Sequence, residues 1–368
     1  MPTLHKSVLG HHVDNFLSSG DHSLKVLRWG LCLEDVPCSI ENFKNWIEQG
    51  RHGSLQYLAD HRKVLREKIT NYFPDFRSGI VFLIDYRNAE QFLKSEEADV
   101  KIARYVMGIG GYDYHKVIGQ FFNQLANHLA KHIPHFKWAN SIDMHPVLER
   151  DMAYRAGLGW FGKNSMLISP LYGSYFLIAG LLSNIEIDTS TTSCGEEYAD
   201  ISSKKQGLFQ SNLEFFEADH CGTCRACVDA CPTAAIDPNT RTLNANKCIS
   251  TYTIELFKPA PSPQGMENSD GWIFGCDICQ EVCPWNQATF RRLENKHTIG
   301  GAKGEFTTLP LTPLQQQLKD FFLNRPLSQI VQELKGMSNR GFEKKFFDTP
   351  LARTGRVGLL KNLQVYLK

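Results

Sequence analysis

Between Cys221 and Cys283 the chain concentrates the residues best suited to electron chemistry. The run CGTCRACVDACPTAAI (221–236) is spaced C-x2-C-x2-C-x3-C-P, and CDICQEVCPWN (276–286) adds three cysteines, again with Pro after the last. In the first pattern three thiolates hold one 4Fe-4S cluster and the fourth reaches across to a second. The second array is one ligand short, and Cys248 in NKCIST, just upstream, completes it. Crossover of the ligands then assigns Cys221, Cys224, Cys227 and Cys283 to one cluster, and Cys231, Cys248, Cys276 and Cys279 to the other. Paired C-x2-C arrays also build zinc ribbons, but a ribbon does not require the x2-x2-x3 run ending in Pro. The spacing therefore favours two one-electron carriers.

Positioning eight thiolates takes a folded chain, and the composition supplies one. At 368 residues, 42% hydrophobic and 21% charged, the sequence is ordinary for a globular protein of two or three domains. Its N-terminus, MPTLHKSVLGHHVDNF, lacks the basic region and apolar run of a secretory signal, and no stretch approaches 18 apolar residues. A cytoplasmic location without membrane contact is expected, and a reducing compartment disfavours disulfides. Cys32, Cys38 and Cys194 match no ligand pattern and read as small buried or incidental thiols. Net charge is only +1, yet residues 335–368 carry eight basic residues against two acidic ones. Such a basic segment, with Lys344, Lys345, Arg353 and Arg356 near its centre, suits a phosphate backbone, although charged tails are commonly just solvated surface.

Upstream of the clusters, segments of helical and strand character alternate. LKVLRWGLCL (24–33), GIVFLIDY (79–86), FKWANSID (136–143) and YFLIAGLL (175–182) read as strands. IENFKNWIEQG (40–50), GSLQYLADHRKVLREKI (53–69), 115–133 and the stretch after Asp143 read as helices. This alternation argues for an α/β domain over about 190 residues, with a parallel or a mixed sheet. Residues 103–117, ARYVMGIGGYDYHKV, suit neither a core strand nor a plain loop, and their glycines lack the order of a phosphate loop. His115 within them reads as a core histidine. Glu149 and Arg150 read as a surface pair.

RYVMGIGGYDYHK (104–116), DMHPVLERDMAYRAGLGWFGKNSMLIS (143–169), CISTYTIE (248–255) and GCDICQEVCPWN (275–286), taken with the first cysteine array, resemble the epoxyqueuosine reductases over most of the chain. The resemblance implies an α+β or α/β architecture in four parts. These are a catalytic α/β domain binding base-off cobalamin (1–190), a polar linker (191–217), a ferredoxin-like domain with two 4Fe-4S clusters (218–295) and a helical, basic C-terminal segment (296–368). It implies a monomer that reduces epoxyqueuosine to queuosine in tRNA with electrons from a low-potential donor. Asp143 takes the acid role by the same resemblance. Asn164, Leu167 and Ile178 fall in the stretch that wraps the corrin, Ser250 faces the cofactor, and Glu255 faces the tRNA. Asp60 stands where relatives often carry Arg near the corrin, and the glycine pair before Tyr112 is unlike typical members.

Converting an epoxide to an alkene consumes two electrons and two protons, which side chains alone do not supply. Two other readings remain open on sequence: a dehalogenase-like corrinoid reductase of small molecules, and an iron-sulfur carrier with no reaction of its own. The carrier leaves a domain-sized N-terminal region without a role. Asp143 lies at a strand end, where burial beside an apolar group would keep its carboxyl protonated near neutral pH. A plain alternative is that Asp143 caps a helix starting near Pro146.

Overall fold

A computed structural model describes residues 2–20, 22–87, 98–189, 220–295 and 310–367. The expected linker at 191–217 and Cys194 lie outside the described residues. At the centre of the N-terminal region stand four strands, β1 (Val26–Cys32), β2 (Ser78–Asp85), β3 (Trp138–Ser141) and β4 (Phe176–Ser183), in the order β1-β2-β4-β3. All three pairings are antiparallel. This corrects the parallel or mixed sheet expected from the alternation. The continuous apolar run of β2 reflects burial on both faces, which depends on helices covering the sheet and not on strand direction.

The period of two in β2 divides the core. Ile80, Phe82 and Ile84 point to one face, where they meet Leu9, Val13 and Phe16 of the helix Lys6–Ser18 and Phe121, Phe122 and Leu125 of the helix Tyr114–Ala130. Val81 and Leu83 point to the other, where Met152, Ala153 and Ala156 of the segment after Leu148 cover them. Each fully buried side chain of this kind contributes about 1.5–3 kcal/mol over its exposed state. The sheet is thus a rigid floor, and what leaves its strand ends is held firmly.

Two expected elements differ. The helix expected over 53–69 is two short turns, Gln56–Ala59 and Arg62–Leu65, broken at Asp60, whose backbone is extended and whose carboxylate turns onto Arg62. The second difference concerns packing across the expected boundary near residue 190. Val100, Ile102, Val106 and Met107 leave the sheet core and join Ile273, Phe274 and the C-terminal helices in a separate core that includes Phe321, Phe342 and Phe346. Lys101–Ile102 pairs in parallel with Trp272–Phe274. The C-terminal segment is helical over 313–364, with short 3-10 and π turns, and is integrated into the fold by these contacts. No helix among the described residues is long and apolar enough to cross a membrane.

Candidate active site and cluster-binding region

After β3 ends at Ser141, buried Ile142 anchors the chain and Asp143 takes a left-handed backbone, φ 38°, which Asp tolerates better than most residues. Its Oδ2 accepts a 2.7 Å hydrogen bond from the Tyr114 hydroxyl and lies 3.7 Å from His115 Nε2. Asp143 is 60% accessible at the side chain although protein surrounds it, the signature of a group on the floor of a concave cleft. It is not a helix cap. The following helix begins at Glu149 with Leu148 at its N-cap.

The neighbours of Asp143 are themselves fixed. Asp113 caps the helix Tyr114–Ala130 by accepting from the His115 backbone N–H at 3.0 Å, and the same Oδ1 lies 2.8 Å from His115 Nδ1. One carboxylate therefore starts the helix and orients the imidazole. His115 Nε2 is buried with no hydrogen-bond partner and faces Asp143, so His115 is not the satisfied core histidine expected from sequence. Burial opposes its charging, but the Asp113 and Asp143 carboxylates outweigh that and raise it to about 9. For Asp143, burial pushes upward, and the His115 and Tyr114 contacts overcome it, leaving the carboxyl below its ordinary value. Within this pair the contacts favour the charged carboxylate on Asp143 and the charged imidazole on His115.

Glu149 takes the opposite state. Burial first, and the Asp143 charge second, raise it to about 8, and its Oε1 accepts from Ser141 Oγ at 3.3 Å. Arg150 bonds the carbonyl of Ser165. Neither belongs to a surface pair, since both line a cavity of about 490 Å³ together with Asp143, Tyr57 and Arg66. Thr240–Leu243 and Thr251 close the far wall from the cluster-binding region. Only the burial of Glu149, which a helical position alone does not reveal, distinguishes it from a solvated acid.

Several expected cofactor contacts lie off this wall. Asp60 is held to about 2 by the Arg62 guanidinium, through contacts of 2.6–3.0 Å, while Tyr57, Leu58 and Arg66 of the same segment reach the cavity. Leu167 pairs with Phe161 in a two-residue strand and, like half-buried Ile178 on β4, packs into the core beneath the sheet. Asn164 donates to the Cys279 carbonyl at 3.3 Å and so braces the cluster region. Thr251 lines the cavity, next to Ser250 in the helix Ile249–Glu255. Glu255 sits at the end of the helix Ile249–Glu255, 2.7 Å from Arg353.

The basic tail is also more engaged than expected. Arg353 pairs with Glu255, Lys345 with Glu333 at 2.7 Å, and Arg356 bonds Asn339 Oδ1 at 2.8 Å. Lys344 is exposed. Arg353 also contributes favourable charge to Asp143, a link across 210 residues that spacing does not reveal.

Around the cysteines the backbone winds in short turns, Ala226–Asp229 and Ile278–Glu281, each carrying a thiol. The charge interactions among the thiols fall largely into two sets. Cys227 feels Cys283, Cys221 and Cys224, whereas Cys276 feels Cys248 and Cys231, and Cys279 feels Cys276 and Cys248 most strongly. Burial raises Cys227 to about 11 and drives Cys276 and Cys279 up as well, so a bound cation is needed to keep them as thiolates. Lys163 Nζ donates to the carbonyls of Gly222 and Cys224, at 2.5 and 2.9 Å, and Asn286 bonds the Ser174 N–H at 2.6 Å. These two contacts, which sequence reasoning missed, lock the region to the sheet domain. Cys32 and Cys38 stand apart, both raised to about 12 by burial, and Cys38 donates to Asp151.

The family described as a 4Fe-4S double cluster binding domain matches residues 220–286, and the family described as epoxyqueuosine reductase QueG, DUF1730 matches residues 66–143. An epoxyqueuosine reductase from Cyclobacterium marinum is 35% identical over 66% of this chain and 69% of the relative. One from Cellulophaga algicola is 30% identical over 95% of this chain and 92% of the relative. Among solved structures, epoxyqueuosine reductase from Streptococcus thermophilus superposes with a TM-score of 0.70 at 22% identity, covering 99% of this chain and 81% of that one. An epoxyqueuosine reductase solved with an epoxyqueuosine-modified tRNA-Tyr stem loop gives a TM-score of 0.68 at 22% identity, covering 98% and 80%.

Proposed function

Since the chain belongs to the epoxyqueuosine reductase family and is thus an oxidoreductase, we propose that it converts epoxyqueuosine to queuosine in tRNA with cobalamin in the 490 Å³ cavity, two 4Fe-4S clusters beside it and Asp143 delivering a proton. The observation that carries this reading is the placement of Asp143, with Tyr114 and His115 at its carboxylate, on the floor of a cleft whose opposite wall is the cluster-binding region.

The residues present fit both groups. Eight thiols in two sets, all buried or half-buried except exposed Cys224, suit two cubanes, Cys221, Cys224, Cys227 and Cys283 for one and Cys231, Cys248, Cys276 and Cys279 for the other. The cavity combines aromatic and aliphatic walls, including Phe43, Trp46 and Leu148, with hydrogen-bonding groups on Arg66, Arg241 and Thr242, a mixture that suits an amide-fringed macrocycle. When bound, cobalamin supplies a low-potential cobalt able to act on the substrate carbon. Asp143 passes the proton stocked on His115 toward the epoxide oxygen, Tyr114 holds the carboxylate in place, and Glu149 stands protonated nearby as a reserve. Asn164 and Lys163 keep the clusters registered against the cleft.

Anaerobically purified protein, given cobalamin, both clusters, a strong reductant and tRNA carrying epoxyqueuosine, is expected to form queuosine only when cobalamin is added. Formation without cobalamin, or none under any loading, overturns the reading. The pH profile adds a second check. His115 is raised above its unfolded value, so it holds its proton from the ordinary histidine range up to about 9, and turnover should fall as pH rises through 9. A limb near 8 would instead assign the stocked proton to Glu149.

tRNA lies against the basic C-terminal segment in this proposal, with exposed Lys344 as a phosphate contact and Glu255 at the substrate end of the cleft. Lys344→Ala should lower the salt slope of tRNA binding by roughly 0.7–0.9 with the melting temperature unchanged. Arg353→Gln should lower both the melting temperature and turnover, because it leaves half-buried Glu255 unpaired. An unchanged salt slope in Lys344→Ala returns that lysine to the solvated surface.

A further inference from the structure

On the side of the sheet away from the cysteines, two helices bring three imidazoles together. His12 projects from the helix Lys6–Ser18, His128 from the last turn of the helix Tyr114–Ala130, and His132 follows one turn later. Each offers a ring nitrogen, and these three nitrogens lie within 4.8 Å of one another. The His12 and His132 rings stack at 4.5 Å between centroids, and His128 meets His132 edge-on at 5.4 Å. The group is half-buried at His12 and His128 and open at His132, so an ion has a path to it.

We propose that His12, His128 and His132 form a divalent transition-metal site, of the class that zinc occupies, which ties the two helices together on the outer face of the catalytic domain. Three imidazoles with one open position are a common zinc donor set, and here His128 in the last helical turn and His132 in the turn just beyond the helix end supply two of them. Tetrahedral zinc with Zn–N near 2.0–2.1 Å places its donors about 3.3 Å apart. The present separation, within 4.8 Å, is larger than that, so binding draws the three rings together. The supports are rigid, since Leu9 and Val13 on one helix and Leu125 and Leu129 on the other are fully buried beneath the cluster.

The site is separate from the cleft. Residues 114 and 128 are about 20 Å apart along one helix at 1.5 Å per residue. Its metal would therefore stiffen the far end of the same helix that presents Tyr114 and His115 to Asp143.

The test uses untagged, cluster-loaded protein titrated with Zn²⁺ alone by calorimetry, so that the cysteines are already occupied. One Zn²⁺ per chain is expected to bind with micromolar or tighter affinity and to raise the melting temperature. His132→Ala, at an exposed position, should weaken that binding at least tenfold and abolish the thermal shift while the iron content stays unchanged. His12→Gln should do the same, as a second variant independent of any folding defect in the first. Absence of stoichiometric binding, or binding that survives both substitutions, overturns the proposal.

Discussion

Asp143→Asn is expected to lower turnover by about 10²- to 10⁴-fold, the usual contribution of a positioned acid or base, with cofactor and tRNA binding intact. The substitution is well suited to the question. Asn accepts the left-handed backbone that residue 143 requires, and its carbonyl can keep the 2.7 Å hydrogen bond from Tyr114. What it cannot do is take a proton from His115 and hand it on. Because Leu148 occupies the N-cap of the next helix, no helix start is lost. The measurement is single-turnover reduction of epoxyqueuosine in tRNA under excess reductant, with cobalamin binding followed in parallel. Turnover within a few-fold of wild type would remove Asp143 from the proton path.

Cys248→Ser is expected to have a comparable effect on activity by a different route. It should cost one cluster and spare the other, leaving about four of about eight irons and the same share of labile sulfide. Cys248 lies directly before the helix Ile249–Glu255, whose Thr251 reaches the cavity wall, so the cluster it serves adjoins the cleft and its loss should cut electron supply to the cofactor. Iron and sulfide analysis after anaerobic reconstitution reads the outcome directly. Unchanged iron would move the fourth ligand elsewhere, and loss of all iron would mean that the two clusters assemble as one unit.

What could be read from the sequence was local. Cysteine spacing encodes ligand geometry within a few residues, so the cluster region was legible, and the runs at 26–32 and 78–85 were legible as strands because they are short and largely apolar. Strand direction was not, since helices cover both faces of β2 and erase the alternation that marks an antiparallel sheet. Leu167 and Ile178 look alike as cofactor wall or core in the sequence, and the structure shows the packing side of that choice, with both against the core beneath the sheet. Asp143 was found at its strand end, but its ionisation depends on Tyr114 and His115, 28 or 29 positions away. The pairing of Arg353 with Glu255 was not legible either, because the sequence shows the charge of each and not its partner 98 positions away.

The loop that leads into Tyr114 and His115 is held mainly by residues made much later. Gly110 and Gly111, both left-handed, turn the chain so that Thr312 Oγ1 bonds the Gly110 carbonyl at 2.6 Å, Gln315 Nε2 bonds the Met107 carbonyl at 2.6 Å, and the Asp113 N–H bonds the Asp348 carbonyl at 2.6 Å. Lys116 closes the clamp on the Asp348 carboxylate at 2.6 Å. On the ribosome, at ~5–20 residues per second, more than 230 residues separate Lys116 from Asp348, a delay on the order of 10–50 s. The sheet can form during that interval, but the contacts that fix Tyr114 and His115 beside Asp143 await the C-terminal helices. Nascent chains stalled before residue 312 should therefore hold a folded sheet with the corner around Asp143 unassembled.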